Sequence, residues 1–474
     1  MKPSILFCKL ETEASFLKKS HEIDMSTGKL LPKLFAFALP VLISGVLQLA
    51  FNAADLIVVG RFCGENSLAA VGSNTAMVSL LVNMLLGVGT GASVLAARYY
   101  GAKDEAQMQE TVQTTVLSAF VGGIAFALLG IWLSSKLLVL MDTPEEVLPL
   151  ATLYLRIYFC GLPVQALYNF CAAILRSVGD TKRPLIYMAL AGVLNVVLNV
   201  FLVVAFDMDV AGIAIATVVS QLLSCVLVLR CLRRSDGIYR IESWKLRFSG
   251  SQFKKLLRIG VPAGIQGSLF SISNVLVQSS VNSFGAAVMA GNSAAASIEA
   301  FGFCAQDSIN QAAVASVSQN MGARCYERTK KAVLYCTLLE IAFSVVLSGC
   351  FMLFRYPLLH IYTDDVAAVE AGCARILTLG AVYFLNGLQN MMTGAIRGHG
   401  YSILPTAITL IGICGFRVLW ILTAFASTRE LMTLYLSYPL SWILTAAAQY
   451  TCYFVSRKKA FERNEAQYAA TGKA

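Results

Sequence analysis

Twelve long apolar segments, separated by short polar loops, account for most of this 474-residue chain. About 20 apolar residues in an α-helix span the hydrocarbon core of a bilayer, where lipid offers the backbone no hydrogen-bonding partner. The sequence therefore predicts an all-α polytopic membrane protein with twelve transmembrane helices. The predicted spans are residues 34–59, 68–97, 112–134, 147–175, 184–206, 210–232, 256–283, 289–318, 331–354, 369–396, 403–425 and 431–455.

The composition excludes several other classes of protein. Hydrophobic residues make up 57% of the chain and charged residues 14%, against about a quarter charged in an average soluble domain. The net charge of +10 does not indicate nucleic acid as a partner, because the basic residues lie in short runs between apolar segments. The thirteen cysteines contain no CxxC pair and the three histidines are scattered, so we expect buried thiols and neither a metal nor a cofactor.

The basic residues are distributed unequally between the two sides of the predicted bundle. By the positive-inside rule, the basic loops and both termini should be cytoplasmic, in a multi-pass protein of the plasma (inner) membrane. The basic segments hold Lys18, Lys19, Lys29, Lys33, Arg98, Lys103, Arg176, Lys182, Arg183, Arg230, Arg233, Arg234, Arg240, Lys245, Arg247, Lys254, Lys255, Arg258, Arg324, Arg328, Lys330, Lys331, Arg397, Arg457, Lys458, Lys459 and Arg463. The opposite loops hold Arg61, Lys136, Arg355 and Arg429, with the acidic Asp142, Glu145, Glu146, Asp207, Asp209, Asp364 and Asp365.

The longest polar connection divides the chain into two halves. Residues 1–24 lack the apolar core of a signal peptide, so they are either a cytoplasmic extension or an artefact of the assigned start site. The expected organisation is a cytoplasmic N-terminal extension (1–33), an N-lobe (34–232), a cytoplasmic connector (233–255), a C-lobe (256–455) and a cytoplasmic tail (456–474).

The two halves repeat each other at a nearly constant offset. The pattern R-x-x-G-x-x-x-x-P occurs after spans 4 and 10, and other matches share its offset of 221 positions or differ from it by one. The repeated residues are Arg176, Gly179 and Pro184 with Arg397, Gly400 and Pro405; Asn169 with Asn390; Gly101-Ala102 with Gly322-Ala323; Val112 with Val333; and, at 222, Pro40 and Asn52 with Pro262 and Asn274.

Six spans in each half return the chain to the same side of the membrane. The sequence therefore predicts two pseudo-symmetric six-helix bundles, related as parallel repeats by an axis along the membrane normal. Two such bundles leave a central cleft that can open to either side by rocking, which is the geometry of alternating access. Pro40, Pro163 and Pro262 could kink their spans, and the cluster Gly87/Gly89/Gly91 indicates close helix packing.

Ionisable and amide side chains inside the spans are the candidate functional groups, because burying them in lipid is costly. Asp55 shares a helical face with Gln48 and Asn52 and could exchange a proton with the cleft, or be fixed by a structural partner. Asn195 and Asn199 lie one turn apart in span 5, where they either join helices or line a cavity.

The second half carries its own candidate groups. Glu299 and Asp307 lie in span 8 and are either functional or paired with Arg417 of span 11. Asn274 and Gln278, one turn apart in span 7, are expected to face the cleft.

Enzyme and nucleotide-binding motifs are missing from the sequence. G-x-S-x-G, H-E-x-x-H and the phosphate-binding G-x-x-x-x-G-K do not occur, so we expect no enzyme. ATP would then drive transport only through a partner subunit, which we do not expect, and an ion gradient is the simpler driving force.

The combination of these features resembles the multidrug and toxic compound extrusion (MATE) family of cation-coupled exporters. The resemblance covers residues 25 to about 460 and is carried by Pro40…Gln48-x-x-Phe51-Asn52-x-x-Asp55-x-x-Val58-Val59-Gly60, Gly101-Ala102 and both R-x-x-G-x-x-x-x-P copies. It implies antiport of cationic or amphipathic compounds against protons or sodium. The family's ion-coupling aspartate falls on Asp55, its span 5 asparagine on Asn195, its span 6 threonine on Thr217 and its span 1 glutamine on Gln48.

Several positions depart from the pattern of the family. Asn199 replaces an aspartate of several members, and Phe51 replaces a tyrosine. Ser271 and Asn386 stand where members with a C-lobe sodium site carry a glutamate and an aspartate. These departures favour proton coupling through Asp55, with sodium as the alternative if Glu299 or Asp307 substitutes.

The expected function is thus a proton-coupled drug or metabolite antiporter. The expected partners are cationic small molecules and membrane lipid, and the protein is expected to be a monomer because one chain contains both lobes. The alternatives are a flippase for lipid-linked sugars or cell-wall precursors and, from another class, an intramembrane enzyme or receptor.

Overall fold

The computed structural model describes residues 21–141, 143–242 and 246–470, and within these ranges its regular structure is entirely helical. Residues 1–20, Asp142, residues 243–245 (which include Lys245) and residues 471–474 lie outside the described ranges. The N-lobe helices are α1 (Leu30–Phe62), α2 (Glu65–Gly101), α3 (Glu105–Leu140), α4 (Leu148–Cys160), α5 (Leu162–Ser177), α6 (Lys182–Ala205) and α7 (Asp209–Arg234). The C-lobe helices are α8 (Gly250–Asn282), α9 (Ala286–Gly322), α10 (Tyr326–Leu353), α11 (Arg355–His360), α12 (Val366–Gly380), α13 (Tyr383–Gly398), α14 (Ile403–Thr428) and α15 (Leu431–Ala470).

Nine single helices in the described ranges are long and apolar enough to cross a membrane, and two bent pairs bring the number to eleven. The pairs are α4 with α5, bent by 47°, and α12 with α13, bent by 53°. The remaining predicted span is α9, which is 37 residues long but more polar. Most of its C-terminal half is buried against other helices, so its serine, asparagine and glutamine side chains face protein instead of lipid.

The sequence repeat extends to unusual backbone conformations. Left-handed residues occur at pairs of positions 221 apart, and both bent pairs break at corresponding points near residues 161 and 382. A short π-helical stretch also recurs, at Phe201–Ala205 in α6 and Ile421–Phe425 in α14. The two halves are therefore copies of one helical arrangement. The left-handed pairs are Gly64 with Gly285, Lys103 with Arg324, and Gly179 with Gly400.

The repeat-related Gly-Ala pairs meet where the lobes join. A Cβ atom on Gly101 would overlap the carbonyl oxygen of Gln319, and one on Gly322 would overlap that of Arg98. Arg98 and Gln319 are themselves 221 positions apart, so the same contact occurs twice about the pseudo-two-fold axis. Only glycine allows α2 and α9 to approach this closely. We call this end of the molecule, which carries the predicted cytoplasmic loops, the basic side.

Glycines also join α2 to α8 across the lobe boundary. A Cβ atom on Gly87 would overlap the backbone of Gly264, and one on Gly91 would overlap the carbonyl of Leu256. The predicted role of this glycine cluster in helix packing is confirmed for these two residues, whereas Gly89 contacts the ring of Phe170. Hydrogen bonds between the lobes extend to about the middle of α2 and α8, where Ser268 Oγ donates to the Leu80 carbonyl at 3.2 Å.

Residues 21–29 bind both lobes on the basic side. The Met25 amide donates to Gln319 Oε1 at 2.7 Å, while the Ile23 amide donates to the Val178 carbonyl at 3.3 Å. Glu22 accepts hydrogen bonds from Tyr100 and Tyr239, both at 2.9 Å. This part of the predicted extension is thus packed against the protein, and the Met25 side chain is fully buried.

The chain continues as helix beyond the predicted end of span 12. α15 runs to Ala470 because its last turns pack on the basic side of the C-lobe. There Asn464 Nδ2 donates to the Met321 carbonyl at 2.9 Å, and Glu465 forms an ion pair with Arg324 at 2.8 Å. The described part of the predicted tail is therefore helical. Together with residues 21–29 and the glycine contacts, it closes the basic side.

The close contact at Gly101 and Gly322 generates a prediction. Gly101→Ala and Gly322→Ala should each push α2 away from α9 and destabilise the closed basic side, because a methyl group forced into a packed contact costs about 1–3 kcal/mol. Spin labels at Glu105 and Glu327, which begin α3 and α10, should report longer inter-lobe distances. Gly349→Ala is the control, since a Cβ there has nothing within 4 Å. Unchanged distances in both variants would contradict this interpretation.

Candidate functional site

Four of the predicted site residues come together in the N-lobe. Asn199 Nδ2 on α6 donates to the Asp55 carboxylate on α1 at 2.5 Å and to Asn195 Oδ1 at 3.3 Å. Asn195 Nδ2 in turn lies 3.4 Å from the hydroxyl of Thr217 on α7. The result is a chain of hydrogen bonds that runs from a carboxylate through two amides to a hydroxyl, across three helices.

A close helix contact holds this chain together. Asn195 and Asn199 are one turn apart on α6, and both are buried. One turn nearer the start of α6, the ring of Phe51 lies where a Cβ atom of Gly192 would be. This contact brings α1 against α6 and places Asp55 opposite Asn199. A tyrosine at position 51 would carry its hydroxyl toward the same glycine, so the phenylalanine fits this tight packing.

The Asp55 carboxylate has polar but uncharged surroundings. It is half-buried, and no lysine, arginine or histidine in the described ranges pairs with it. Asn199 Oδ1 is buried and accepts no hydrogen bond from the described residues. Asn199 Nδ2 therefore serves an ionised Asp55. To accept from a protonated Asp55, the amide would have to rotate and give up its hydrogen bond to Asn195 Oδ1.

Gln48 and Asn52 lie beside this site and do not hydrogen-bond to Asp55. Gln48 Nε2 donates to Asn52 Oδ1 at 3.1 Å, and both side chains are exposed on α1. They remain candidates for contact with a substrate. Asn274, the counterpart of Asn52 in the C-lobe, is also exposed and lies 3.5 Å from a guanidinium nitrogen of Arg417.

Glu299 is paired with an arginine, but the partner is not the one considered from the sequence. Both carboxylate oxygens accept from Arg375 on α12, at 3.0 and 2.7 Å. Arg375 also donates to Asn292 Oδ1 at 2.7 Å, and Asn292 donates to Gln278 Oε1 at 2.8 Å. Glu299 and Gln278 thus belong to one network inside the C-lobe.

Arg417, the expected partner, is bound elsewhere. Its Nε donates to Ser441 Oγ at 3.2 Å, and its guanidinium lies 4.1 Å from the centre of the Tyr438 ring. The proposed ion pair of Arg417 with Glu299 is therefore wrong. The two arginines lie in different spans, and the sequence gives no measure of which one reaches the carboxylate.

Asp307 is half-buried on α9 and hydrogen-bonded to its own helix. Gln311 Nε2 donates to it at 2.7 Å and Asn310 Nδ2 at 3.2 Å. The repeat-related arginines Arg176 and Arg397 both interact with it electrostatically, one from each lobe. Asp307 thus has positive charge nearby, in contrast to Asp55.

Two buried ionisable residues inside the spans escaped the sequence analysis. Arg375 is the partner of Glu299, and Glu340 on α10 is fully buried. Ser344 Oγ donates to Glu340 Oε1 at 2.8 Å, whereas Oε2 has no hydrogen-bond partner among the described residues. The signal that could have identified both was a charged residue within an apolar span.

Two pseudo-symmetric helical lobes, joined on one side of the membrane and carrying buried acids, define a membrane transporter. The family model for MatE matches residues 40–201 and 262–424, one match in each lobe and well over half of the chain together. The chain therefore belongs to the MatE family and is a transporter of the multidrug and toxic compound extrusion class.

Individual relatives agree with this assignment. The probable multidrug resistance protein YoeA of Bacillus subtilis (strain 168) is 28% identical over 438 residues, which cover 90% of this chain and 94% of YoeA. An FAD transporter of Shewanella oneidensis is 23% identical over 431 residues, covering 90% and 94% of the two chains.

A solved structure, described as the outward-facing conformation of a multidrug resistance MATE family transporter, has a TM-score of 0.85. It is 21% identical and covers 94% of this chain and 99% of its own. The predicted all-α fold of twelve helices in two lobes is confirmed.

The Glu299–Arg375 pair generates a second prediction. Arg375→Met leaves a buried carboxylate unpaired and should lower the free energy of unfolding by about 3–5 kcal/mol. Combining it with Glu299→Leu should restore much of that loss, because the buried charge is then removed. Thermal unfolding of the two single variants and the double variant tests this. Additive losses would show that the two side chains do not act as a pair.

Proposed function

We propose that the chain is a secondary antiporter that exports cationic or amphipathic small molecules, such as drugs and toxic metabolites, in exchange for protons. Membership of the MatE family and the similarity to YoeA, a probable multidrug resistance protein, support export of this kind. The observation that carries the proposal is the Asp55 carboxylate, which is held by the Asn199 amide and has no cationic partner among the described residues.

An acid in these surroundings can alternate between two forms. When ionised, Asp55 gives the N-lobe a negative charge that attracts a cationic substrate. When a proton binds, the charge disappears and the attraction is lost. Rotation of the Asn199 amide, with loss of its hydrogen bond to Asn195, would present Oδ1 to the protonated form, so each form of Asp55 can have a hydrogen-bond partner.

The closed basic side gives this exchange a direction. With residues 21–29 and the glycine contacts joining the lobes there, access to Asp55 in this conformation is from the opposite side. In a plasma membrane with both termini cytoplasmic, that side faces outward. A proton would enter from outside, release the substrate there, and leave to the cytoplasm after the lobes rock.

Sodium is the competing ion. Oxygen atoms of Asp55, Asn195, Asn199 and Thr217 lie along one hydrogen-bond chain, and oxygen ligands also suit alkali cations. Proton coupling is preferred because Asn199 stands where several members carry a second carboxylate, which leaves one negative charge in the site. The protein is proposed to act as a monomer without an ATP-binding partner.

Asp55→Asn provides the central test. The variant keeps the size and one oxygen of the side chain but cannot bind an exchangeable proton. In proteoliposomes with an imposed pH gradient and no sodium, its efflux of a fluorescent organic cation should fall to the rate of empty liposomes. Asp365→Asn is the control, because Asp365 is an exposed helix cap outside the spans and should retain wild-type efflux. Full proton-driven efflux by Asp55→Asn would refute the proposed role.

A change of gradient and cargo separates the remaining alternatives. Replacing the pH gradient by a sodium gradient at equal pH should abolish efflux by the wild-type protein. Sodium-driven efflux at the proton-driven rate would make sodium the coupling ion. Movement of a fluorescent lipid-linked sugar without movement of the organic cation would identify a flippase. Transport of FAD without transport of the organic cation would show that the chain carries the same substrate as the Shewanella relative.

A further inference from the structure

The C-lobe contains a buried acid that the proposed function does not use. Glu340 lies halfway along α10, about 20 Å from either end at 1.5 Å per residue, and its side chain is fully buried. Only one of its carboxylate oxygens has a hydrogen-bond donor, the hydroxyl of Ser344 at 2.8 Å. Its other oxygen, Oε2, is buried without a partner among the described residues.

The side chains around Glu340 form an extended polar network. Ser344 Oγ accepts from Gln306 Nε2 on α9 at 3.3 Å, and Gln306 Oε1 accepts from Asn386 Nδ2 on α13 at 2.8 Å. Gln389 Nε2 continues the network to Asn386 Oδ1 at 3.2 Å. Every member is an amide or a hydroxyl, so the network supplies dipoles and no positive charge.

No cation among the described residues neutralises the Glu340 carboxylate. In the part of the chain that the structure describes, no lysine, arginine or histidine from any helix packed against α10 pairs with it. The titratable groups that do interact with it are acidic or neutral. They are Asp307 of α9, Cys336 of α10 itself, Tyr383 of α13 and Tyr450 of α15.

The other glutamate of this lobe shows the contrast. Glu299 accepts two hydrogen bonds from Arg375 and is therefore held as an ion pair. An ionised Glu340 would have one hydroxyl donor and no countercharge. Burying an unpaired charge costs several kcal/mol or more, and a buried acid avoids this cost by binding a proton.

Glu340 packs against α13 close to the bend between α12 and α13. A Cβ atom on Gly387 of α13 would overlap Glu340 Oε1, so the carboxyl group lies directly against the α13 backbone. Gly387 is one turn beyond the start of α13, where the chain bends by 53° after α12. A change of this bend would alter the packing that keeps water from Glu340.

We infer that Glu340 is a second proton-binding site, located in the C-lobe and separate from Asp55. It holds its proton while the basic side is closed and exchanges it when α13 moves during the transport cycle. Protonation removes the negative charge that Oε2, buried without a partner among the described residues, would otherwise share. The inference rests on the proposed function only for the cycle that drives the exchange. Protonation of Glu340 in the resting protein is independent of it.

Infrared spectroscopy of the reconstituted wild-type protein and three variants tests the site. At neutral pH the wild-type protein should show the carbonyl stretch of a protonated carboxylic acid. Glu340→Gln should remove this band, while Asp55→Asn should retain it. Glu370→Gln, which changes an exposed glutamate of α12, is the matched control and should leave the spectrum unchanged. A band of full intensity in Glu340→Gln would overturn the inference.

Exchange measurements on the wild-type protein keep the inference testable if Glu340→Gln does not fold. After transfer to D₂O the band should shift slowly in the resting protein and faster during substrate-driven cycling. An immediate shift of the band at rest, or an equally slow shift during cycling, would contradict the inferred exchange of the Glu340 proton during the transport cycle. Loss of the band on adding sodium at constant pH would make Glu340 a sodium ligand and would also overturn it. If the band persists in an Asp55→Asn variant that keeps full proton-driven transport, the proposed function alone is refuted.

Discussion

The contact of α2 with α9 at Gly101 and Gly322 is the constraint on which the rest of the structure depends. Each glycine lies against a backbone carbonyl of the other lobe, and the two contacts are copies of each other about the pseudo-two-fold axis. Because there is no room for any side chain, the lobes can either touch here or separate, and intermediate packing is not available. Residues 21–29 and the end of α15 add hydrogen bonds on this side, so its closure involves the glycines, the N-terminal segment and the last helix together.

The scaffold is symmetric, but its buried charges are not. Asp55 corresponds to Val277 in the other lobe, and Glu340 corresponds to Ala119. The ion pair of Glu299 and Arg375 corresponds to Val78 and Tyr154, which carry no charge. Duplication therefore explains the helices, bends and left-handed turns that both halves share. The buried acids and the Glu299–Arg375 ion pair differ between the lobes, as expected if the lobes have different tasks in one transport cycle.

Much of the architecture could be predicted because it depends on local composition and on the repeat. The spans, the two lobes and the packing role of Gly87 and Gly91 follow from apolar length, offset and residue size. The end of α15 could not be predicted from apolar length, since its last turns are polar and are held by contacts with Met321 and Arg324. The partner of Glu299 could not be predicted either, because Arg375 and Arg417 are equally plausible until the helices are assembled. Glu340 was overlooked although a lone glutamate in an apolar span was visible in the sequence.

Both acids lie beside a point where a glycine allows two helices to touch. Asp55 is one turn from Phe51, which packs on Gly192 of α6, and Glu340 itself packs on Gly387 of α13. At such points a small change in helix position strongly changes the access of water, since a side chain of one helix lies directly on the backbone of the other. The protonation state of each acid changes its charge and its hydrogen bonds, and therefore the helix position that suits it best. Proton binding and helix packing are thus coupled within each lobe, and the shared closed contact at Gly101 and Gly322 is where the two lobes must act together.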